Sequence, residues 1–164
     1  MATATMTILE GKLANQSALP LRATLGSTMI YHGVSKLKHE GLEQTAQFFD
    51  HVGIKPGRPW ALATGVTETV AGILTFLGIG TRVAALSILV TQTMAIAKVH
   101  AKKGFDAQKG GYEFNLSLIA GALALLLGGP GTVSAHHAVR PQLGRGLWRR
   151  RRISPLGRLA LLLA

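Results

Sequence analysis

The amino-acid sequence predicts an all-α integral membrane protein: a four-helix up-down bundle with a short interfacial segment in its first connection and a basic C-terminal tail. Four apolar runs of about 17–21 residues are each long enough to span a bilayer as a helix. The mean hydropathy is +0.30, which is high for a soluble protein. Lys and Arg mostly flank these runs, as they do in juxtamembrane segments. Because lipid cannot pair with backbone groups, such runs indicate helices.

The predicted domains follow from these runs in chain order. Residues 1–17 form a polar N-terminal segment without an apolar core, which is not typical of a secretory signal. Residues 18–131 form the transmembrane domain, and residues 132–164 form a basic, Arg-rich tail that is disordered or interfacial. The four predicted spans cover residues 18–37, 60–80, 83–100 and 113–129.

The connections between the runs predict how neighbouring helices are arranged. Gly78 to Arg82 forms a tight turn, so we expect the second and third helices to make an antiparallel hairpin. The segment 38–59 is longer, and its partly amphipathic pattern predicts a short helix in the interface, ended by Gly53 and Pro56. The fourth run stops at residues 128–131, Gly-Gly-Pro-Gly, which terminate a helix strongly.

Composition and charge exclude several classes of function. The chain has no Cys, so it has neither a disulfide nor thiol redox chemistry of its own. Its net charge of +11 is typical of nucleic-acid-binding proteins, but 7 of its 18 Lys and Arg residues lie within residues 140–164 and no nucleic-acid motif accompanies them. We therefore expect the lipid bilayer and other membrane-associated subunits as partners, and no nucleic acid. A soluble four-helix bundle is the alternative, but the third and fourth runs show almost no polar face.

Glu68 is the most informative residue because it lies near the middle of the second apolar run. A carboxylate at that depth is costly unless it is paired, protonated or hydrated. One interpretation is a protonated Glu that is hydrogen-bonded to a neighbouring helix. The other is a site for a proton, an ion, a quinone or a small substrate, with Glu68 as the proton carrier because burial favours the neutral acid.

Other ionisable residues lie near the ends of the runs and are expected to converge on one rim of the bundle, above Glu68. In an up-down bundle, the ends of the first and third runs and the starts of the second and fourth share one membrane side. We predict a polar funnel there, with Glu68 about 12 Å below its rim. Snorkelling and salt bridging are the structural alternative. No metal site is predicted, because no recognised ligand spacing occurs. The candidate ligand-binding residues are His32, Lys36, Glu68, His100, Tyr112 and Glu113.

Small and hydroxyl-bearing residues within the runs are expected to serve the packing of the helices. Polar stripes at helical spacing indicate inward-facing surfaces. Most of their hydroxyls are expected to bond to their own helix or to a neighbouring one. Gly26, Gly65 and Gly72 predict close helix contacts. The stripes are Thr64, Glu68 and Thr75 in the second run, and Ser87, Thr91, Met94 and Lys98 in the third.

Five motifs occur in order between about residues 19 and 134. They are residues 31–37 (Tyr-His-Gly-Val-Ser-Lys-Leu), 68–72 with 78–82, 100–105, 110–115 (Gly-Gly-Tyr-Glu-Phe-Asn) and 129–134. Together they resemble the DoxX family of small four-helix integral membrane proteins. The resemblance implies a membrane-linked redox role. Some relatives are linked to thiosulfate:quinone oxidoreduction or labelled as terminal quinol oxidase subunits, and others are associated with membrane oxidoreductase complexes that handle thiols and oxidative stress.

The leading hypothesis is a membrane subunit of a redox-linked assembly that binds a quinone or a small anion in the funnel. A non-catalytic subunit that anchors a larger complex is the alternative, and a small transporter ranks third because inverted repeats and broken helices are not evident. Whether the chain is catalytic stays open; if it is, it acts as an oxidoreductase component with partners. We expect a multi-pass protein of the cytoplasmic (inner) membrane with both termini on one side, which the arginines of the tail favour as cytoplasmic.

Overall fold

The computed structural model describes residue 16 and residues 18–136, and every regular element within them is helical. Helices lie over all four runs that the sequence singles out, and a further helix occupies the first connection, where a short helix was expected. The segment 1–17 and the tail 132–164 fall largely outside the described residues. Residues 18–136 contain five α-helices, which are α1 (Ala18–Leu37), α2 (His39–His51), α3 (Gly57–Leu77), α4 (Thr81–Ala95) and α5 (Glu113–Gly128).

The ends of α3 are set by local backbone chemistry. At its end, Gly78 adopts the left-handed conformation (φ 71°) and its N–H donates to Thr75 O, which makes the predicted tight turn into α4. At its start, the N–H of Gly57 donates to Asp50 Oδ1 at 2.9 Å, so α3 begins before the predicted residue 60. This bond also ties the end of α2 to the start of α3.

The end of α4 is irregular. The helix passes into a π-helical turn at Ile96–His100 and then a 3₁₀ turn at Ala101–Lys103. Thr81–Lys103 thus forms one helical stretch of 23 residues. A π-helical turn inserts an extra residue and changes which side chains share a face. It therefore alters the direction in which His100 points relative to a regular helix.

Two helical stretches in the described part of the chain are long and apolar enough to cross a membrane. They are Gly57–Leu77 and Thr81–Lys103. Helix α5 is apolar but has only 16 residues. Helix α1 contains Arg22, His32 and Lys36, which lower its hydropathy. Crossings by α1 and α5, and with them the four-helix up-down arrangement in the bilayer, remain predictions.

The outward faces of α3 and α4 are apolar. Large side chains that are about half exposed recur along both helices at helical spacing. Contiguous exposed apolar surface of this kind is rare on soluble monomers and indicates contact with lipid or with another protein. These side chains are Leu62, Val66, Val70, Ile73 and Leu77 on α3, and Val83, Leu86, Val90 and Met94 on α4.

Helices α1 and α3 pack backbone to backbone along a line of glycines. A Cβ atom at Gly72 would lie 2.7 Å from Ile30 N and 2.8 Å from Gly26 O. A Cβ atom at Gly33 would lie 2.5 Å from Thr69 N. No side chain fits at these distances, so only glycine permits this approach. The close contacts predicted at Gly26 and Gly72 are confirmed.

Arg22 fixes the other end of the helix assembly. It is buried near the start of α1, and its guanidinium donates to the carbonyl oxygens of Thr75 (3.1 Å) and Phe76 (3.0 Å) at the end of α3. It also donates to Pro130 O (2.7 Å) and Val133 O (2.6 Å), which follow α5. The start of α1, the end of α3 and the segment after α5 therefore lie at the same end of the molecule.

A small apolar core joins α1, α3, α4 and α5. Alanines at the facing positions of α4 and α5 let these two helices approach closely, as small residues do in membrane bundles. The core consists of Leu25, Met29, Ala71, Ala84, Ala85, Ile88, Leu118, Ala122 and Leu125.

Candidate functional site

A cavity of about 1020 Å³ lies between the helices, at the end opposite Arg22. Its walls are formed by the last turns of α1, the first half of α3, the second half of α4 and the start of α5. Helix α2 and the connection between α4 and α5 complete the lining. The lining is mostly apolar, and the volume is that of a site for a small organic molecule.

An ion pair between α1 and α3 lies in the cavity wall. Lys36 Nζ donates to Glu68 Oε2 at 2.6 Å. The side chain of Glu68 is only 6% exposed, whereas that of Lys36 is 24% exposed. A buried carboxylate is tolerated when a cation pairs with it, so Lys36 explains how Glu68 is accommodated in α3. The geometry is that of an ion pair between two helices, whereas one interpretation of the sequence was a protonated Glu68 hydrogen-bonded to a neighbouring helix.

His32 lies one turn before Lys36 on α1 and also lines the cavity. Its ring centroid is 5.9 Å from that of Phe114 on α5 and 5.6 Å from that of Tyr31. Within residues 18–136, neither ring nitrogen of His32 has a hydrogen-bond partner. The imidazole is therefore held by packing on one side and has polar atoms available to a molecule in the cavity.

Two amide side chains form a second polar element of the wall, on α4 and α5. Asn115 Nδ2 donates to Gln92 Oε1 at 2.8 Å, and both residues line the cavity. Gln92 Nε2 lies 3.8 Å from Met29 Sδ, a weak acceptor on α1. Both residues are more than nine-tenths buried, with exposures of 6% and 7%. This amide pair faces the helix that contains His32 and Lys36.

The connection after α4 closes one side of the cavity. His100 Nδ1 lies 2.6 Å from Gly110 O, so the imidazole in its Nδ1–H form donates to this carbonyl and ties the end of the π-helical turn to the loop. Lys98 and Lys103 belong to the exposed part of the lining. Positive charge thus lies toward the outer part of the cavity.

The structure brings together four of the six predicted ligand-binding residues. His32, Lys36, Glu68 and His100 all line the cavity. Tyr112 and Glu113 are not part of its lining: the Tyr112 ring packs edge-on against Phe105, with centroids 5.7 Å apart. The predicted funnel also differs in depth, because the flexible Lys36 side chain reaches Glu68 itself and does not stay at a rim above it.

The predicted polar stripes are divided by the fold. Thr64, Ser87 and Thr91 line the cavity, but Thr75 lies at the far end, where its carbonyl accepts from Arg22. The hydroxyls of Ser87 and Thr91 donate to carbonyls of their own helix, as most were expected to do.

Sequence reasoning missed Gln92 and Asn115 as site residues. Each is a single amide side chain inside an apolar run, which is the signal that could have found them. No periodic pattern in the sequence links the two residues, because they belong to different helices and meet only in the folded chain.

Helical stretches with apolar outer faces and a partly polar cavity between them are typical of a membrane protein. The DoxX family model matches residues 17–101, more than half of the chain, and the chain belongs to this family. No solved structure gives a significant match.

Two relatives align with this chain over most of their own length. A Bacillus subtilis (strain 168) protein named "Putative oxidoreductase CatD" is 32% identical over 111 residues, which cover 68% of this chain and 78% of that protein. A Mycobacterium tuberculosis (strain ATCC 25618 / H37Rv) protein named "Uncharacterized membrane protein Rv3486" is 28% identical over 125 residues, which cover 70% of this chain and 76% of that protein.

Proposed function

We propose that this protein is a membrane subunit of a redox-linked assembly and that its cavity binds the headgroup of a quinone. The observation that carries the proposal is a set of convergent polar groups, among them the Lys36–Glu68 pair and His32, in the wall of a largely apolar cavity. Sites for small organic molecules combine these two features. The name of the Bacillus subtilis relative, which calls it an oxidoreductase, supports the redox part of the proposal.

Beside Lys36 and Glu68, the inner part of the cavity suits a neutral headgroup better than a small anion. The ammonium group of Lys36 is already neutralised by Glu68 at 2.6 Å, so the pair offers little net positive charge. The neighbouring Gln92 and Asn115 side chains are uncharged. An anion would have to displace Glu68 from Lys36, at the cost of leaving a buried carboxylate without a partner.

The polar side chains have separate roles in this proposal. The ring nitrogens of His32 have no hydrogen-bond partner within residues 18–136, and in this proposal the ring bonds to a quinone oxygen. Glu68 would exchange a proton with the same headgroup, with Lys36 holding the carboxylate in place. The chain has no Cys, so its own thiols cannot carry the electrons, and the proposal assigns their transfer to a partner subunit.

The lipid-facing helices support entry of a hydrophobic ligand from the side. Leu86, Val90 and Met94 are about half exposed on α4 and also line the cavity. A ligand with a polar headgroup and an apolar tail could leave its tail among these residues while the headgroup reaches Glu68.

We also propose that α1, α3, α4 and α5 cross the cytoplasmic (inner) membrane in alternating directions, with both chain termini on the cytoplasmic side. The contacts of Arg22 support this, because they hold the start of α1 and the segment after α5 at one end. The loop that carries Lys102, Lys103 and Lys109 would then lie at the opposite surface.

Quinone binding by the purified protein in lipid nanodiscs tests this proposal. The wild type is expected to bind a short-chain ubiquinone or menaquinone above the level of empty nanodiscs, and Glu68→Gln is expected to bind it at least several-fold more weakly. Glu43→Gln is the matched control, because Glu43 pairs with Arg58 at 2.9 Å in an exposed position outside the cavity. Mass spectrometry of co-purifying lipids and proteins gives an independent measure.

The proposal fails if the wild type binds no quinone. If partner proteins co-purify equally with the wild type and Glu68→Gln while no quinone is found, the chain is a non-catalytic anchoring subunit. Glu68 is then a structural ion-pair partner.

A further inference from the structure

The Gln92–Asn115 amide pair has unused hydrogen-bonding groups that face the cavity. Each side-chain amide has two N–H donors and one carbonyl acceptor. Within residues 18–136, the hydrogen bonds of this pair are the Asn115 Nδ2–Gln92 Oε1 bond and the weak contact of Gln92 Nε2 with Met29 Sδ. The acceptor Asn115 Oδ1 and N–H groups on both amides have no further partner in that part of the chain.

The orientation of the two amides follows from their surroundings. A thioether sulfur has no hydrogen to donate, so the side of Gln92 that faces Met29 must be its N–H side. Gln92 Oε1 then faces Asn115 and accepts from its nitrogen, which turns Asn115 Oδ1 away from Gln92. Asn115 Oδ1 stays accessible from the cavity that Asn115 lines, so a molecule bound there can supply a donor, and covering this oxygen without one is unfavourable.

We propose that this amide pair recognises a hydroxyl group, and that the cavity therefore binds the reduced, hydroquinone form of its ligand more tightly than the quinone. This inference rests on the proposed quinone-binding function. A hydroxyl oxygen accepts from the amide N–H groups while its hydrogen is donated to Asn115 Oδ1. A quinone carbonyl can only accept, so it leaves Asn115 Oδ1 unpaired.

The amide pair lies where it can meet one oxygen of the headgroup while the ion pair meets the other. Gln92 contacts Met29, which lies one turn before His32 on α1. Phe114, next to Asn115, packs against His32. The two polar elements thus line the same cavity, one on α1 and α3 and the other on α4 and α5.

The expected preference is set by one neutral hydrogen bond. Such a bond changes an equilibrium by about two- to tenfold. A tenfold preference for the hydroquinone would raise the midpoint potential of the bound two-electron couple by about 30 mV relative to the free couple. The preference can therefore be measured both as a ratio of dissociation constants and as a shift in potential.

The test compares the affinities of a short-chain hydroquinone and the corresponding quinone for the protein in nanodiscs, under anaerobic conditions. The wild type is expected to favour the hydroquinone by about two- to tenfold. Asn115→Leu is expected to bring the ratio of the two affinities close to one. Glu43→Gln, at an exposed position outside the cavity, is expected to keep the wild-type ratio.

A double variant serves as a second test in case Asn115→Leu alone impairs folding. Gln92→Leu together with Asn115→Leu replaces both partners by apolar groups, which leaves no stranded amide. It too is expected to bind both forms equally. Equal affinity of the wild type for the two forms, or a preference that survives in the double variant, would overturn this inference and leave quinone binding intact. Failure of the wild type to bind either form would overturn both.

Discussion

Removing Lys36 from the Lys36–Glu68 ion pair is expected to destabilise the protein much more than removing one member of an exposed pair in the same chain. Removing Lys36 leaves a carboxylate that is only 6% exposed without its partner. Stranding a buried charge in this way costs about 3–5 kcal/mol. Because Lys36 is 24% exposed and water can reach its side of the pair, we expect Lys36→Met to cost about 3 kcal/mol, at the lower end of that range.

A double-mutant cycle separates the pair from its surroundings. The variants are Lys36→Met, Glu68→Leu and the two combined, and unfolding is followed in mixed micelles by titration with a denaturing detergent. We expect Glu68→Leu to cost less than Lys36→Met, because the Lys36 ammonium can turn toward water. The combined variant is expected to approach the wild type, since replacing both members of a buried pair by apolar residues is often neutral.

The exposed Arg58–Glu43 pair provides the control cycle. Its N–O distance is 2.9 Å, but its side chains are 67% and 43% exposed. Exposed pairs contribute about 0.2–1 kcal/mol. A coupling energy for Lys36 and Glu68 that does not exceed that of Arg58 and Glu43 would refute the view that burial of Glu68 makes it depend on Lys36.

Two further predictions concern the helix contacts that position the cavity. Gly72→Ala is expected to destabilise the protein by about 1–3 kcal/mol, because its Cβ would lie 2.7 Å from Ile30 N. Gly128→Ala is expected to be neutral or slightly stabilising in the same unfolding assay, because its Cβ would meet no other element among the described residues within 4 Å. Equal effects would contradict the backbone contact between α1 and α3. Arg22→Met is expected to remove one hydrogen-bond donor from each of four carbonyl oxygens and to speed limited proteolysis within residues 129–134. An unchanged cleavage rate would show that Arg22 does not hold this segment.

The helical architecture could be predicted from the sequence because it depends on local signals. Apolar runs of bilayer length and the terminators at Gly78 and Gly129 are readable without tertiary information. The start of α3 at Gly57 was missed because it depends on Asp50, which lies on another helix. The π-helical turn at Ile96–His100 could not be predicted, because no periodic pattern in the sequence indicates it.

The site was predictable only in part, because most of its contacts join different helices. Four of the residues that line the cavity could be proposed as site residues from the sequence, because a single ionisable residue in an apolar run is unusual. They are His32, Lys36, Glu68 and His100. That Lys36 reaches Glu68 depends on how α1 and α3 cross, and no spacing within one helix encodes it. Tyr112 and Glu113 were expected in the site on chain position alone, and the loop fold directs Tyr112 onto Phe105.

The glycine contacts between α1 and α3 have a mechanical consequence for the cavity. Two helices in backbone contact cannot slide by exchanging rotamers, so Lys36 and Glu68 belong to one stiff half of the molecule. Gln92 and Asn115 belong to the other half, α4 and α5, and Gln92 meets the first half through the pliable thioether of Met29. A molecule that forms hydrogen bonds to both halves would link them and stabilise their packing against each other. Occupancy would then be visible as a change in the resistance of the whole protein to unfolding, even without a chemical reaction.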